Sequence, residues 1–194
     1  MIIKFGVEGF LSIHDKVELY FIPVANTRLN NTRFASNFLF TSKYKIMKSA
    51  VLFGANASGK SNLLFAVKRF QDIILRGVDL TNVDAVRQGY ANYDADKDIG
   101  FSISMFNPKT QVEYEYNLKY NLKGIVAESF VRDDTTLFIY SNHILTIADA
   151  AHVKEKTAAQ KLFSGEATET CLKKLTDYMS GDVLAFQDLV KDII

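Results

Sequence analysis

The sequence predicts an α/β fold in which a glycine-rich loop and its helix are joined to an antiparallel β subdomain and a helical C-terminal segment. Three observations support this prediction. A glycine-rich loop at residues 54–59 lies between an apolar run and an amphipathic helix, residues 99–120 alternate between apolar and polar side chains, and the residues after 147 follow a helical pattern. We therefore expect a mixed sheet, a first unit over residues 1–147 and a helical arm over residues 148–194.

Two short strands and a turn are predicted at the N-terminus. Residues Ile2–Val7 and Val17–Ile22 have strand composition, and Gly9–Lys16 forms the turn region between them. Asn and Thr are frequent in Ala25–Ser42, which predicts a loop because their side chains hydrogen-bond to the nearby backbone. The run Lys48–Phe53 predicts another strand directly before the glycine-rich loop.

One long helix and an antiparallel meander are predicted in the middle of the chain. Apolar residues recur every three to four positions from Lys60 to Arg76, so one helix face is buried, and Gly77 is a stop signal. The residues Val78–Lys97 are polar and irregular. The predicted strands are Ile99–Met105, Val112–Tyr120, Ile125–Arg132 and Thr136–Tyr140. Such a meander has one face in water.

The C-terminal segment predicts two helices, Thr168–Met179 and Asp182–Ile194, split by Ser180–Gly181, with Asp182 as the N-cap of the second. Apolar residues crowd this last helix more than one narrow face needs. We therefore expect it either to pack against a second copy of the chain or to fold back on the β subdomain. Self-association is the favoured outcome, because a twofold contact is the commonest oligomer geometry.

Composition excludes several classes of protein. The 194 residues carry a net charge of +1, which gives no global field for binding nucleic acid or membranes. The single cysteine, Cys171, excludes a disulfide framework and a cysteine-based metal cluster. No signal peptide and no membrane-length apolar run are present, so we expect a soluble, cytoplasmic chain. Lys43, Lys45 and Lys48 form a small basic cluster with Tyr44; nucleic acid is a candidate partner there, although a solvated strand edge is the better interpretation.

The strongest chemical signal is Gly54–Ser61, which matches G-x-x-x-x-G-K-[ST] between an apolar run and a helix. The glycines let the backbone approach phosphate closely, and the helix N-terminus offers positive partial charge. Lys60 adds a full charge for the β- and γ-phosphates, and Ser61 is placed to ligate Mg²⁺. The predicted nucleotide-binding residues are Gly54, Ala55, Asn56, Ala57, Ser58, Gly59, Lys60, Ser61 and Asn62, with ATP and Mg²⁺ as cofactors.

The segment Ala55–Leu64 resembles the Walker A loop of ABC-type ATPase heads of the RecF/SMC kind, and in particular that of prokaryotic AAA-domain proteins related to the overcoming-lysogenization-defect (OLD) ATPases. The likeness runs from Met1 to about Tyr140 and includes the opening Phe5–Ile13 and the segment Ile125–Phe130. It implies an ATP·Mg²⁺-binding lobe, two heads that sandwich the nucleotide as a dimer, and a role in DNA processing or antiviral defence.

The sequence departs from this pattern in two ways. Gly9 and Leu11 stand where the family's turn usually has Asn and Arg. Complete heads also have a second lobe with an ABC signature, a Walker B strand ending in Asp-Glu and a switch histidine. Here Ile144–Asp149 lacks the glutamate, and Leu162–Glu166, a faint likeness to the signature, is better interpreted as a turn. We therefore expect the chain to stop before the second lobe, and the catalytic residues are not identified.

Three functions stay open from the sequence. The first is an ATP-binding lobe of an ABC-type ATPase, which hydrolyses ATP only when a second lobe or a partner completes it. The second is an interaction module without turnover, or a half-head that docks on a partner chain. The third is a small P-loop kinase, which is less favoured because Arg76, Arg87 and Arg132 are too widely spaced for an arginine-rich lid.

Overall fold

The computed structural model describes residues 1–23, 35–43, 45–77, 97–151, 153, 156–161 and 167–193. Nine strands lie in this part of the chain: β1 (Ile2–Glu8), β2 (Val17–Tyr20), β3 (Phe38–Phe40), β4 (Lys45–Met47), β5 (Ile99–Asn107), β6 (Val112–Asn121), β7 (Gly124–Arg132), β8 (Thr135–Ser141) and β9 (Ile144–Ile147). The α-helices of the same part are α1 (Lys60–Arg76), α2 (Lys156–Lys161), α3 (Cys171–Lys174) and α4 (Ser180–Lys191).

Seven strands form one sheet in the order β2-β1-β5-β6-β7-β8-β9, while β3 and β4 form a separate pair. Every pairing among the described strands is antiparallel. The predicted antiparallel β subdomain is therefore confirmed, and the predicted mixed sheet is wrong for these residues. Most neighbouring strands are joined by short turns, which can connect only antiparallel strands. Strand β9 was not predicted, because its four residues are too few to give a clear alternation.

The core lies between one face of this sheet and the helices α1 and α4. Alternate residues of β5 and β6 point into it, as their period of two predicts. Phe130 of β7 and Phe186 of α4 are both fully buried, and their ring centroids are 5.2 Å apart. Phe70 of α1 packs on Phe5 of β1 at 5.9 Å. Aromatic contacts therefore join both helices to the sheet that carries them.

Helix α4 folds back on the β subdomain, which is the outcome that the sequence did not favour. Its residues Val183, Phe186 and Val190 are fully buried within the chain. Two glutamines join it to α1: Gln71 Nε2 donates to the carbonyl of Val190 at 3.0 Å, and Gln187 Nε2 donates to the carbonyl of Ile74 at 3.4 Å. The apolar face of this helix is thus satisfied internally and gives no argument for self-association.

The start of α4 differs from the prediction. The helix begins at Ser180, so Gly181 lies inside it and Asp182 belongs to the first turn instead of capping it. The Asp182 carboxylate accepts hydrogen bonds from Arg132 at 2.9 Å and from the Tyr114 hydroxyl at 3.1 Å. The Asp182 carboxylate oxygens therefore accept from side chains on the sheet, whereas in an N-cap one of them would accept from a backbone N–H of the helix. Only four residues of the predicted helix Thr168–Met179 are α-helical, followed by one 3-10 turn.

Glu128 is a buried carboxylate that joins the C-terminal segment to the sheet. It lies on β7 with 1% of its surface exposed and accepts backbone N–H groups of Cys171 at 2.6 Å and Leu172 at 2.8 Å. It also accepts the Tyr116 hydroxyl at 2.8 Å. Burial raises the pKa of Glu128 to about 6, although these three donors favour its charged form. The first turn of α3 is thus held by a side chain from the sheet.

The predicted strand Lys48–Phe53 is wrong. The strand of this region is β4, which ends at Met47 and pairs with β3, itself inside the predicted loop Ala25–Ser42. In the segment that follows, Val51 is 73% exposed and Phe53 is 90% exposed. A strand needs a neighbour to satisfy its backbone, and no described strand lies beside this apolar segment. It therefore leads into the glycine-rich loop without belonging to a sheet.

The remaining predictions fall partly outside the described residues. These are most of the loop Ala25–Ser42, nearly all of Val78–Lys97, the segment 162–166, and Tyr44 and Ile194. Gly77 ends α1 as predicted, with a left-handed φ of 61° and its N–H donated to Ile73. Among the described helices, none has both the length and the apolar character that crossing a membrane requires.

Candidate functional site

The glycine-rich loop turns sharply between residue 53 and α1. Gly59 lies in the left-handed region with φ 88°, and Ala57 also has a positive φ of 63°. A Cβ added to Gly54 would come within 2.8 Å of the Ser58 hydroxyl, so the loop also closes tightly at its first residue. A side chain at Gly59 would therefore strain the backbone, and one at Gly54 would require the Ser58 hydroxyl to move. This is the compact, backbone-lined loop that the motif predicts.

The Lys60 ammonium lies against this loop. Its Nζ donates to the carbonyls of Gly54 at 2.8 Å and Ala55 at 2.6 Å, and contacts the Ser58 hydroxyl at 3.3 Å. A full positive charge is thereby held beside the backbone of residues 54–59, and the long stem of Lys60 can exchange these neutral acceptors for an anion. Because charge-assisted hydrogen bonds are the stronger ones, a phosphate group would compete well for this ammonium.

The N-terminus of α1 adds backbone donors at the same place. The helix begins at Lys60 without a side-chain cap, and its first internal hydrogen bond runs from the Leu63 N–H to the Gly59 carbonyl at 3.1 Å. The earlier N–H groups of such a helix have no acceptor within the helix, and they concentrate its positive partial charge. Loop, helix end and Lys60 together form a site suited to a multiply charged phosphate chain.

The residues present also fit a magnesium ion bound with such a phosphate. Ser61 is exposed beside Lys60 in the first turn of α1, so its side chain is accessible to a ligand. One hydroxyl is enough for this role, because Mg²⁺ bound with a nucleotide keeps several waters and takes phosphate oxygens as further ligands. Ser61 would hold the ion, and the ion would neutralise charge that develops on the phosphates.

Asn62 is used in a way that the motif does not predict. Its side-chain amide donates to the Ser12 hydroxyl at 2.6 Å and so joins α1 to the turn between β1 and β2. Ser12 also lies nearest to Gly59, with its hydroxyl 3.8 Å from where a Cβ would stand. Sequence reasoning missed Ser12, because a single hydroxyl in a turn 50 residues away gives no signal of its own.

The other sequence candidates are dispersed. Lys43 pairs with Asp134 at 3.9 Å, while the Lys45 ammonium lies 5.7 Å from the centre of the Phe40 ring. In the Walker B-like run Ile144–Asp149, the first four residues form the edge strand β9, and Asp149 begins a 3-10 turn with its carboxylate bound to Lys156 at 2.6 Å. The signature-like segment 162–166 lies outside the described residues. Among the candidates, the described structure therefore gathers only the loop residues 54–62 into one site.

Comparison with known proteins agrees with this site. The model of one protein family, described as "AAA domain, putative AbiEii toxin, Type IV TA system", matches residues 49–149, just over half of the chain. The matched part begins just before the glycine-rich loop and runs through α1 and the meander from β5 to β9. No curated protein matches the chain significantly.

Proposed function

The chain belongs to the family described as AAA domain, putative AbiEii toxin, Type IV TA system, and from that membership we propose that it is the ATP·Mg²⁺-binding lobe of an ABC-type ATPase of the RecF/SMC/OLD kind. The family makes it a P-loop, nucleotide-binding, ATPase-like domain. The finer proposal places it in a DNA-processing or antiviral defence system, where ATP controls an effector in the cytoplasm.

One observation carries the nucleotide-binding part of this proposal. Lys60 and the N-terminus of α1 direct one full charge and several backbone donors at a loop whose residues Gly54–Ser58 are exposed. In the described part of the chain, the contacts of this ammonium all lie within the exposed loop. The arrangement matches what a triphosphate needs, namely donors spaced along a loop and a cation at its mouth.

The segment 49–53 supports the further proposal that the lobe works with a second lobe. Its residues Val51 and Phe53 are large, apolar and exposed, and they lead directly into the phosphate-binding loop. Together with Leu52 between them, they make three successive positions apolar, and a run that is apolar on both faces is typical of a strand buried inside a parallel sheet. We propose that a partner chain, or a second copy of this one, supplies the missing cover and the missing catalytic groups.

The structure supports a small P-loop kinase less well than the sequence alone does. Of the three arginines that could form its lid, Arg132 is held by Asp182 at 2.9 Å and Arg76 by Asp72 at 3.3 Å. Arg87 lies outside the described residues. The antiparallel meander that follows α1 also differs from the parallel strands on which such kinases are built.

The chain should bind Mg·ATP and hydrolyse it slowly or not at all. We expect Mg·ATP to raise the unfolding midpoint, because a ligand that binds only the folded state stabilises it. Turnover should stay near the uncatalysed background, because no sequence motif identifies a carboxylate that positions the attacking water. Calorimetry and a phosphate-release assay on the 194-residue chain test this. Rapid turnover dependent on Lys60 would contradict the half-head proposal, and transfer to an added acceptor would favour the kinase.

Ser61→Ala should weaken the contribution of Mg²⁺ more than the binding of ATP itself. The hydroxyl serves the ion and not the phosphates, so we expect about a tenfold loss of the affinity gained on adding Mg²⁺, the effect of roughly one good hydrogen bond. Binding in EDTA should change less than twofold. Titrations of ATP with and without Mg²⁺ measure both quantities, with Ser61→Thr as the variant that keeps a hydroxyl and Ser141→Ala as the distant control. Equal losses with and without Mg²⁺ would assign Ser61 to the phosphates.

A further inference from the structure

The first turn of α1 carries the groups of the phosphate site, yet it lies at the edge of the apolar core. The buried residues of this helix begin at Ala66, while Leu63 packs against the core only in part and Leu64 is 57% exposed. Gly59, at the N-cap position, provides no side-chain cap. A helix end without a cap or buried side chains opens readily, because few interactions oppose the loss of its ordered backbone. The position of this turn therefore depends on polar contacts as well as on packing.

A side-chain hydrogen bond joins this turn to the turn between β1 and β2. The Asn62 amide donates from Nδ2 to the hydroxyl oxygen of Ser12 at 2.6 Å. The same oxygen lies 3.8 Å from where a Cβ of Gly59 would stand, so Ser12 lies close to the residue at which the loop becomes helix. Asn62 belongs to the same helical turn as Lys60 and Ser61. The bond therefore acts on the turn that presents both of these side chains.

Ser12 is itself attached firmly to the sheet. The backbones of Phe10 and Ile13, on either side of it, exchange two hydrogen bonds of 3.0 and 2.9 Å, and both side chains are buried. The Phe10 ring packs on Phe101 of β5 with ring centroids 5.8 Å apart. The Ser12 hydroxyl is thus carried by an anchored backbone at a set place relative to the sheet, as a group that positions other residues must be.

We propose that Ser12 is a positioning residue for the phosphate site, an inference that rests on the proposed function of the loop. Through Asn62 it fixes the first turn of α1 relative to the sheet, so that the backbone N–H groups and Lys60 are in place before a phosphate chain arrives. A site that is ordered in advance avoids the entropic cost of ordering it in the complex. Ser12 lies outside residues 49–149, to which the family model matches, so family membership does not assign it this role.

A double-mutant cycle on ligand affinity tests this proposal. Ser12→Ala, Asn62→Ala and the double variant should all bind Mg·ATP about fivefold more weakly than the wild type, the effect of roughly one hydrogen bond, because the second substitution removes nothing further. Ser12→Thr keeps the hydroxyl and should bind within about twofold of the wild type. Magnesium tripolyphosphate should weaken by the same factor as Mg·ATP, because the contact acts on the phosphate end of the ligand.

The matched control is a second amide–hydroxyl pair in the middle of the sheet. Asn117 Nδ2 on β6 donates to the Ser129 hydroxyl on β7 at 3.2 Å, and this pair is exposed like the first. Ser129→Ala and Asn117→Ala therefore remove the same kind of hydrogen bond from another part of the chain. We expect both variants to bind Mg·ATP and magnesium tripolyphosphate as the wild type does.

Amide hydrogen exchange measures the positioning itself, without a ligand. The Leu63 N–H donates to the Gly59 carbonyl at 3.1 Å, within the turn that Asn62 holds. In Ser12→Ala this amide should exchange about fivefold faster, because local opening of the turn becomes easier by the lost hydrogen bond. The amide of Ile74, far along the same helix, should keep its rate, and the unfolding midpoint without ligand should stay unchanged.

Each outcome has a distinct meaning. A wild-type chain that binds neither ligand overturns the proposed function of the loop, and the positioning role with it. Wild-type affinity in Ser12→Ala overturns the role of Ser12 and leaves the function of the loop intact. A lower midpoint without ligand, or a loss that Ser12→Thr also shows, would assign the residue to the fold instead. Losses that add in the double variant, or that affect Mg·ATP alone, would mean that Ser12 contacts the ligand directly, which also overturns the proposal.

Discussion

Lys60→Ala is expected to lose the thermal shift that Mg·ATP produces, while its unfolding midpoint without ligand stays unchanged. The ammonium makes three contacts, all within the exposed loop at Gly54, Ala55 and Ser58. Exposed hydrogen bonds of this kind contribute little to folding, because water replaces them. The same charge placed on a triphosphate is worth about 1.5–3 kcal/mol, so affinity should fall by roughly tenfold to a hundredfold.

The matched control for this variant is Lys68→Ala. Lys68 lies two turns further along α1, on the surface, and contacts Gln71 and Asp72 without approaching the loop. Lys68→Ala removes the same charge from the same helix as Lys60→Ala, so any general effect of net charge on nucleotide binding appears in both variants. Equal binding of ATP by wild type and Lys60→Ala would mean that the loop does not hold the phosphates. A lower midpoint of Lys60→Ala without ligand would mean that the ammonium supports the fold.

Local signals predicted the elements that local interactions determine. Helix α1 runs from Lys60 to Arg76 as its apolar spacing predicts, and Gly77 ends it. The strands β5 and β6 follow their period of two, and the turn at residues 107–110 connects them. In each case the residues that determine the structure lie within a few positions of one another, so a single sequence contains the necessary information.

Long-range contacts explain the failures. Lys48–Phe53 has strand composition, but a strand also requires a neighbouring strand, and composition cannot tell whether one is present. Asp182 has the identity of an N-cap, but Arg132 and Tyr114 on the sheet bind its carboxylate. The candidate site divides in the same way. The motif gave residues 54–62, whereas Ser12 comes from a turn that only the fold brings beside the loop.

Glu128→Gln is expected to destabilise the attachment of the C-terminal segment to the sheet. The Glu128 carboxylate accepts two backbone N–H groups and one hydroxyl, all buried. The glutamine side chain has only one oxygen in place of the two carboxylate oxygens. Its NH₂ group therefore faces a buried N–H donor that the second oxygen accepted before. Each buried donor left unsatisfied costs about 1–3 kcal/mol, which for a chain of this size corresponds to a fall in the unfolding midpoint of roughly 2–12 °C. Glu115→Gln, on an exposed face of the neighbouring strand, is the matched control.

The pH dependence of stability tests the buried charge of Glu128 separately from its hydrogen bonds. Its pKa is raised from 4.5 to about 6, so the folded state binds this proton more tightly than the unfolded state. The free energy of unfolding should therefore rise by about 2 kcal/mol from this group as the pH falls from 7 to below 4.5, since each pKa unit is worth about 1.4 kcal/mol.

Denaturant titrations of the wild type and Glu128→Gln at pH 7 and pH 5 isolate that contribution as a difference, because other groups titrate alike in both proteins. A gap between the two proteins that stays constant with pH would show that the carboxyl titrates normally in the folded state. A gap that widens toward pH 5 would show that the link between β7 and α3 holds a charge at neutral pH at a cost in stability, and that the three donors offset only part of this cost.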